Sequence, residues 1–200
     1  DIDRTHGRVK VTDLLSRLNE EKKIEKKRNL ALGVAAVSAV TVFGIILGSG
    51  CGGGLVINKK IVSGANGLGG EWSLNQMPIK EIDSNINESE NFNFAKRIEG
   101  YLSGKSIEKN YYSSFNKSLT AKEIFSAYRK NDRDAISFVN NYKNHLARCL
   151  VIIISTIDPD AIVFGGGVSN EIDFLDDIKN KTSKYINEPN LKTVFLKPKY

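Results

Sequence analysis

Two glycine runs, each directly after an apolar stretch, constrain the fold of this chain more than any other feature. Residues 48–54 (GSGCGGG) follow Thr41–Leu47, and residues 165–167 (GGG) follow residues 161–164. The apolar stretches are rich in β-branched and aromatic residues, which favours strands. Without Cβ atoms, the backbone after each strand can turn its N–H groups toward an anion. Neither run is a Walker motif or a convincing dinucleotide-binding loop, so each one alone is only a weak sign of a nucleotide site.

From residue 41 onward the pattern is that of an α/β domain. We expect residues 41–62 to form an antiparallel hairpin that continues into the sheet, because an apolar strand resumes after the glycines. A capping box at residues 120–123 opens a helix that ends near Lys130. Residues 135–157 carry apolar side chains at intervals of three and four, which predicts a long core helix ended by Asp158 and Pro159. The remaining predictions are a surface loop at 76–97, a strand at 161–164, a helix at 172–186 and a strand at 193–196.

Residues 1–40 have a different character and are treated as a separate unit. Residues 8–28 predict an amphipathic helix that runs into a basic cluster, and much of the net charge of +6 lies there. Because the excess belongs to one segment, we expect no nucleic-acid partner. Residues 30–47 are 18 uncharged residues after that cluster, which makes them a transmembrane candidate. The same run divides equally well into a short helix at 30–37 and a strand at 41–47.

The two cysteines, Cys51 and Cys149, stand far apart and form no C-x-x-C pair. This spacing suggests neither a zinc knuckle nor a disulfide framework. No cleavable signal peptide is evident. The expected location is therefore the cytoplasm, with a single-pass inner-membrane protein as the alternative.

Taken with their flanks, the glycine runs resemble the ROK family of bacterial sugar kinases and repressors. The matching stretches are residues 41–71 (TVFGIILGSGCGGGLVINKKIVSGANGLGGE), 98–104 (IEGYLSG) and 157–169 (IDPDAIVFGGGVS). The resemblance covers roughly residues 41–190. It implies an actin-like ATPase fold of the ribonuclease H-like class, with residues 41–200 as a C-terminal lobe of mixed sheet and packed helices that is incomplete at its end.

The resemblance also implies a reaction and the residues that serve it. The reaction is transfer of the ATP γ-phosphate to a hexose or amino-hexose, with magnesium, in the cleft between two lobes. An ionised glutamate can accept two sugar hydroxyl hydrogens, which suits it to reading sugar stereochemistry. The residues implied to face the phosphates are Gly48, Ser49, Gly50, Gly52 and Gly53; those implied to approach the adenosine are Gly165, Gly166 and Gly167; those implied to bind the sugar are Asn66, Glu71 and Glu99.

Several family features have no counterpart here. No D-x-G-G-T phosphate loop occurs in residues 1–40, and Lys26 falls at the position of the family's catalytic aspartate. Leu74 replaces a histidine that serves zinc and sugar. The family's cysteine positions before Ile98 hold Glu90, Phe92 and Arg97, so we expect no zinc site.

Three interpretations follow from these matches and departures. The first is a sugar kinase by descent, truncated or degenerate and weak or inactive alone. The second is a non-catalytic, sugar-responsive module like the family's repressors. The third is a membrane-anchored protein whose residues 30–47 span a bilayer. The sequence leaves the identity of the sugar and a homodimer open.

Overall fold

A five-stranded mixed sheet forms the centre of the part of the chain that the computed structural model describes, residues 41–78 and 96–197. The strand order is β3-β2-β1-β4-β5. The first three strands pair antiparallel, whereas β1, β4 and β5 run parallel to one another. The strands are β1 (Thr41–Leu47), β2 (Cys51–Ile57), β3 (Lys60–Val62), β4 (Ala161–Gly165) and β5 (Val194–Leu196).

The hairpin predicted for residues 41–62 is confirmed. Leu47 pairs with Cys51, and the Gly48 N–H donates to the Gly50 carbonyl oxygen at 2.9 Å inside the turn. The alternative of one transmembrane helix over residues 30–47 is wrong for Thr41–Leu47, because these residues form a strand with partners on both sides. Their alternation explains this outcome, since Phe43, Ile45 and Leu47 share one face and are at most 1% exposed.

The helices pack against the sheet and supply the rest of the core. They are α1 (Glu99–Leu102), α2 (Gly104–Phe115), α3 (Ala121–Arg129), α4 (Arg133–Ile157), α5 (Gly167–Glu171) and α6 (Leu175–Ile186), with a 3-10 turn at Trp72–Leu74. The capping box predicted for α3 is confirmed, with Thr120 and Glu123 bonded reciprocally. The helices α4 and α6 lie together, with Thr182 of α6 buried and hydrogen-bonded to the Ala147 carbonyl at 3.5 Å.

The long helix α4 begins and ends where the sequence predicts. The Asp132 carboxylate accepts the Ala135 N–H at 2.9 Å, and Asp158 ends the helix in the left-handed conformation with φ +46°. Its apolar stripe packs on the sheet in a core that contains Phe43, Leu146 and Leu150. Among the helices of residues 41–78 and 96–197, none is both long and apolar enough to cross a bilayer.

The helix predicted for residues 172–186 begins later, at Leu175, and α5 precedes it as a separate short helix. Ile172 is extended (φ −80°, ψ 105°), and both Ile172 and Phe174 are buried. The chain therefore leaves the helical conformation at Ile172 and regains it only after Phe174, which is neither helical nor extended (φ −117°, ψ 38°). The helices predicted at 8–28 and 30–37, and most of the loop predicted at 76–97, lie outside the described residues.

Candidate functional site

The turn between β1 and β2 is in direct contact with Glu99, the first residue of α1. The Cys51 N–H donates to Glu99 Oε1 at 3.2 Å. A Cβ on Gly50 would lie 2.6 Å from the same oxygen, so any other residue at this position would require the carboxylate to move. Glu99 is half-buried. Glu99, which is predicted to bind the sugar, is thus held at the glycine turn by a hydrogen bond from the backbone.

The segment after Glu71 is tied to the beginning of β2, close to Glu99. The Trp72 indole N–H donates to the Gly52 carbonyl at 2.8 Å, and the Ser73 hydroxyl donates to the Cys51 carbonyl at 3.0 Å. Glu71 is half-buried, and its side chain forms no capping hydrogen bond with the 3-10 turn that follows it. Glu71 and Glu99 therefore flank the same strand segment.

Asn66 lies further out than the two glutamates. It is exposed in the loop of residues 63–70, which is closed by a hydrogen bond from the Gly69 N–H to the Ser63 carbonyl at 2.9 Å. Within the described chain, no hydrogen bond joins Asn66 to either glutamate. Of the three amino acids predicted to bind the sugar, the structure therefore brings Glu71 and Glu99 to one strand. It leaves Asn66 on an adjoining exposed loop.

The second glycine run makes a tight exit from β4. Gly166 has φ +92° and ψ 164°, and a Cβ there would collide with the backbone carbonyl of Leu47. That combination of angles is almost restricted to glycine. The run is consequently pressed against the end of β1, so that the two glycine runs meet although they are more than 100 residues apart.

The two runs share a cleft of about 350 Å³. Of the predicted nucleotide residues, Gly48, Ser49 and Gly167 line it. Gly50 contacts Glu99 instead, while Gly52 and Gly53 lie in β2 against Trp72. The other lining residues are Gly104, Lys105 and Glu108 of α2, Thr120 with Ala121 and Lys122 of α3, and Val168 and Glu171 of α5.

The beginnings of two helices face this cleft. The Gly104 N–H donates to the Gly48 carbonyl at 2.7 Å, which fixes the start of α2 at the glycine turn. Ser103 caps α2 and Thr120 caps α3. Helix N-termini carry partial positive charge, so both ends favour an anion in the cleft. Lys105 and Lys122 add two exposed cations at the same two helix starts.

The carboxylates of the cleft are held in different ways. Arg129, at the end of α3, donates to the Glu171 carboxylate at 2.8 Å and to the Glu171 backbone carbonyl at 3.3 Å. The Glu108 carboxylate accepts the Ala121 N–H at 3.0 Å. These bonds join α2, α3 and α5 into one wall.

The thiol beside the turn is inert. Burial, and secondly the negative charge of Glu99, raise the pKa of Cys51 far above its ordinary value. The side chain is therefore a protonated thiol at neutral pH, which makes it a poor nucleophile and a poor metal ligand. In the described part of the chain, no group of three or more His, Cys, Asp or Glu side chains is placed to hold a metal ion.

Sequence reasoning missed most of the cleft's lining on α2, α3 and α5. The signals were present, since Thr120 opens a predicted capping box and Gly104 ends a stretch that resembles the family, but neither pattern indicated a place beside the glycine turn. Only the folded chain shows that the starts of α2 and α3 point toward the glycine turn.

Comparison with known proteins assigns this arrangement to a family. The ROK family matches residues 11–200. The N-acetyl-D-glucosamine kinase of Salmonella paratyphi B is 34% identical over 178 residues, covering 82% of this chain and 57% of that protein. A ROK family glucokinase from Streptomyces griseus, solved with glucose and AMPPNP, superimposes with a TM-score of 0.64 at 22% identity, covering 82% of this chain and 57% of that one. The ROK hexokinase from Thermus thermophilus gives a TM-score of 0.65 at 18% identity, with 81% and 53% covered.

The fold is therefore the actin-like α/β fold of the ROK sugar kinases. The chain belongs to the ROK family. It spans a little over half the length of the curated relatives it matches, 57% of the Salmonella enzyme.

Proposed function

We propose that residues 41–197 form the nucleotide- and sugar-binding lobe of an ATP-dependent sugar kinase. The observation that carries this proposal is the meeting of Gly48, Ser49 and Gly167 in one cleft, since they come from the two runs that resemble the family's nucleotide motifs. The reaction forms a bond between a sugar hydroxyl oxygen and the γ-phosphorus, and it breaks the bond from that phosphorus to its bridging oxygen.

The cleft fits a nucleotide chemically. Its volume of about 350 Å³ lies in the range of small-molecule sites. The glycine turn and the start of α2 would hold the phosphates, since Ser49, the positive end of α2 and Lys105 all line the cleft there. Gly167 would approach the adenosine. Magnesium would enter bound to the phosphates and neutralise their charge, because it usually takes few protein ligands in such sites.

The sugar would bind on the other side of the same turn. Ser49 lines the cleft, while Gly50 and Cys51, the next two residues, contact Glu99. A sugar bound to Glu99 and Glu71 would therefore lie beside the phosphate end of the nucleotide. Asn66 would reach it from the exposed loop. Gly52 and Gly53 support the Trp72 segment in this arrangement.

The relatives suggest which sugar to test first. The similarity to an N-acetyl-D-glucosamine kinase favours an amino-hexose, and the fold neighbours add glucose as a second choice.

Neither a D-x-G-G-T loop nor a matched catalytic aspartate occurs in these 200 residues. Phosphoryl transfer requires the base and the clamped phosphate together, so we propose that residues 1–200 alone bind both ligands without measurable turnover.

Calorimetry with AMPPNP and magnesium tests the nucleotide half. Ser49→Glu would place a negative charge at the phosphate end and should weaken binding at least about tenfold. Ser137→Glu is the matched control, because Ser137 is exposed on α4 and does not line the cleft. Equal affinities for the two variants would contradict the proposal.

A coupled assay with ATP, magnesium, N-acetylglucosamine and glucose tests turnover. We expect no rate above background. Turnover that disappears in Glu71→Ala would show that residues 1–200 already contain a complete catalytic site.

A further inference from the structure

Glu108 is a carboxylate that lines the cleft but belongs to neither glycine run. It lies on α2 one helical turn after Gly104, which binds the Gly48 carbonyl. One turn spans about 5 to 6 Å. Glu108 is therefore set back from the glycine turn by about the length of a ribose.

The carboxylate is fixed through one of its oxygens. Glu108 Oε1 accepts the Ala121 N–H at 3.0 Å, a donor at the first turn of α3 that the helix itself leaves unsatisfied. In the described chain, Oε2 has no protein donor and Glu108 forms no ion pair. The side chain is half-buried, and its second oxygen, Oε2, can accept a hydrogen bond from a ligand.

The neighbouring polar side chains are already engaged. Glu171 is bound by Arg129 at 2.8 Å, and the Thr120 hydroxyl donates to Glu123 at 2.7 Å. Glu171 is thus neutralised by a cation, whereas Glu108 forms no ion pair within the described residues and keeps an uncompensated negative charge in this wall. A negative charge here repels phosphate groups, which directs them toward Gly48 and Ser49. The part of a nucleotide left beside Glu108 is uncharged.

We propose that Glu108 determines specificity for ribonucleotides by accepting a hydrogen bond from the ribose hydroxyls. This inference rests on the proposed nucleotide function of the cleft. Ribose carries two adjacent hydroxyl donors, and a carboxylate is an acceptor with four lone-pair sites. A charged acceptor strengthens the bond, while a nucleotide that lacks the hydroxyls would leave the carboxylate partly desolvated and unpaired.

The test is calorimetric binding of ATP and of 2′,3′-dideoxy-ATP to the 200-residue chain. The unmodified chain should bind ATP at least about tenfold more tightly than the dideoxy analogue, as expected for a hydrogen bond to a charged acceptor. Glu108→Gln keeps an oxygen for the Ala121 N–H but loses the charge and one acceptor. The ratio of the two affinities should then fall to about twofold or less, with the affinity for the analogue retained.

Glu123→Gln is the matched control. It changes a carboxylate at the same helix start, bonded to Thr120 and outside the cleft lining, and should leave the ratio unchanged. An unchanged ratio in Glu108→Gln, or an equal loss of affinity for both nucleotides, would overturn the role of Glu108 while leaving the nucleotide site intact. A chain that binds neither nucleotide would overturn the proposed function and this inference with it.

Discussion

The carboxylate of Glu99 and the backbone N–H of Cys51 are joined by a hydrogen bond of 3.2 Å that links the first turn of α1 to the β1–β2 turn. Through it, a side chain predicted to bind sugar is positioned by the glycine run predicted to bind phosphate. The geometry of one therefore depends on the other. Substitutions in the turn should affect sugar binding even where they do not touch the cleft.

Gly50→Ala tests this dependence. The new methyl group would lie 2.6 Å from Glu99 Oε1 and would force the carboxylate to move. We expect affinity for N-acetylglucosamine to fall about tenfold, since a hydrogen bond to a charged group contributes about 1.5 to 3 kcal/mol. Gly52→Ala is the control, because a Cβ there meets no atom within 4 Å. Equal sugar affinities in the two variants, measured by calorimetry, would show that Glu99 does not contact the sugar.

Gly166→Ala should destabilise the chain. At φ +92° and ψ 164° any other residue is strained, and the methyl group would collide with the Leu47 carbonyl. The strain alone costs about 1 to 3 kcal/mol, so we expect a loss of at least about 2 kcal/mol in the free energy of unfolding by urea. Gly167→Ala, where a Cβ meets nothing within 4 Å, should change it by less than about 0.5 kcal/mol. Similar losses in both variants would contradict the geometry of this turn.

The elements that were predictable from sequence are those with local signals. The hairpin follows from an apolar strand, a glycine break and a second strand, and α3 follows from its capping box at Thr120. The late start of α6 was not predictable, because Ile172 and Leu175 have helical spacing, yet in the folded chain Ile172 is extended and Phe174 is non-helical, and both are buried. Only the glycine-run side of the cleft was predictable from sequence, because the two glycine runs resemble family motifs. Glu108 was not predictable as a lining residue, because it reaches the cleft only when α2 packs beside the turn.

The start of α3 should respond to acid. Hydrogen bonds from the Thr120 backbone and then from its hydroxyl lower the pKa of Glu123 below its ordinary value of about 4.5. Because the pKa of Glu123 is lower in the folded state, its ionised carboxylate stabilises the folded chain at any pH above the ordinary pKa. This stabilisation is lost as the pH falls through the lower pKa of the folded state. The melting temperature of Glu123→Gln should therefore lie below that of the unmodified chain at neutral pH and approach it in acid. A constant difference across this range would contradict the account of the cap.

Cys51 and Cys149 should resist alkylation in the folded chain. Burial is the main cause that raises the pKa of each thiol. Little thiolate is then present at mildly alkaline pH, and the thiolate is the form that reacts. Mass spectrometry after iodoacetamide treatment should show no adduct on the native chain and two adducts in guanidinium. Rapid modification of Cys51 in the native chain would mean that the glycine turn is open to solvent.

Hydrogen exchange with and without AMPPNP and magnesium locates the nucleotide on the chain. We expect slower amide exchange at the glycine turn, at both helix starts and at the exit from β4. The segments concerned are residues 48–50, 104–108, 120–123 and 165–168. No protection at saturating nucleotide, or protection confined to other segments, would contradict a nucleotide site in this cleft.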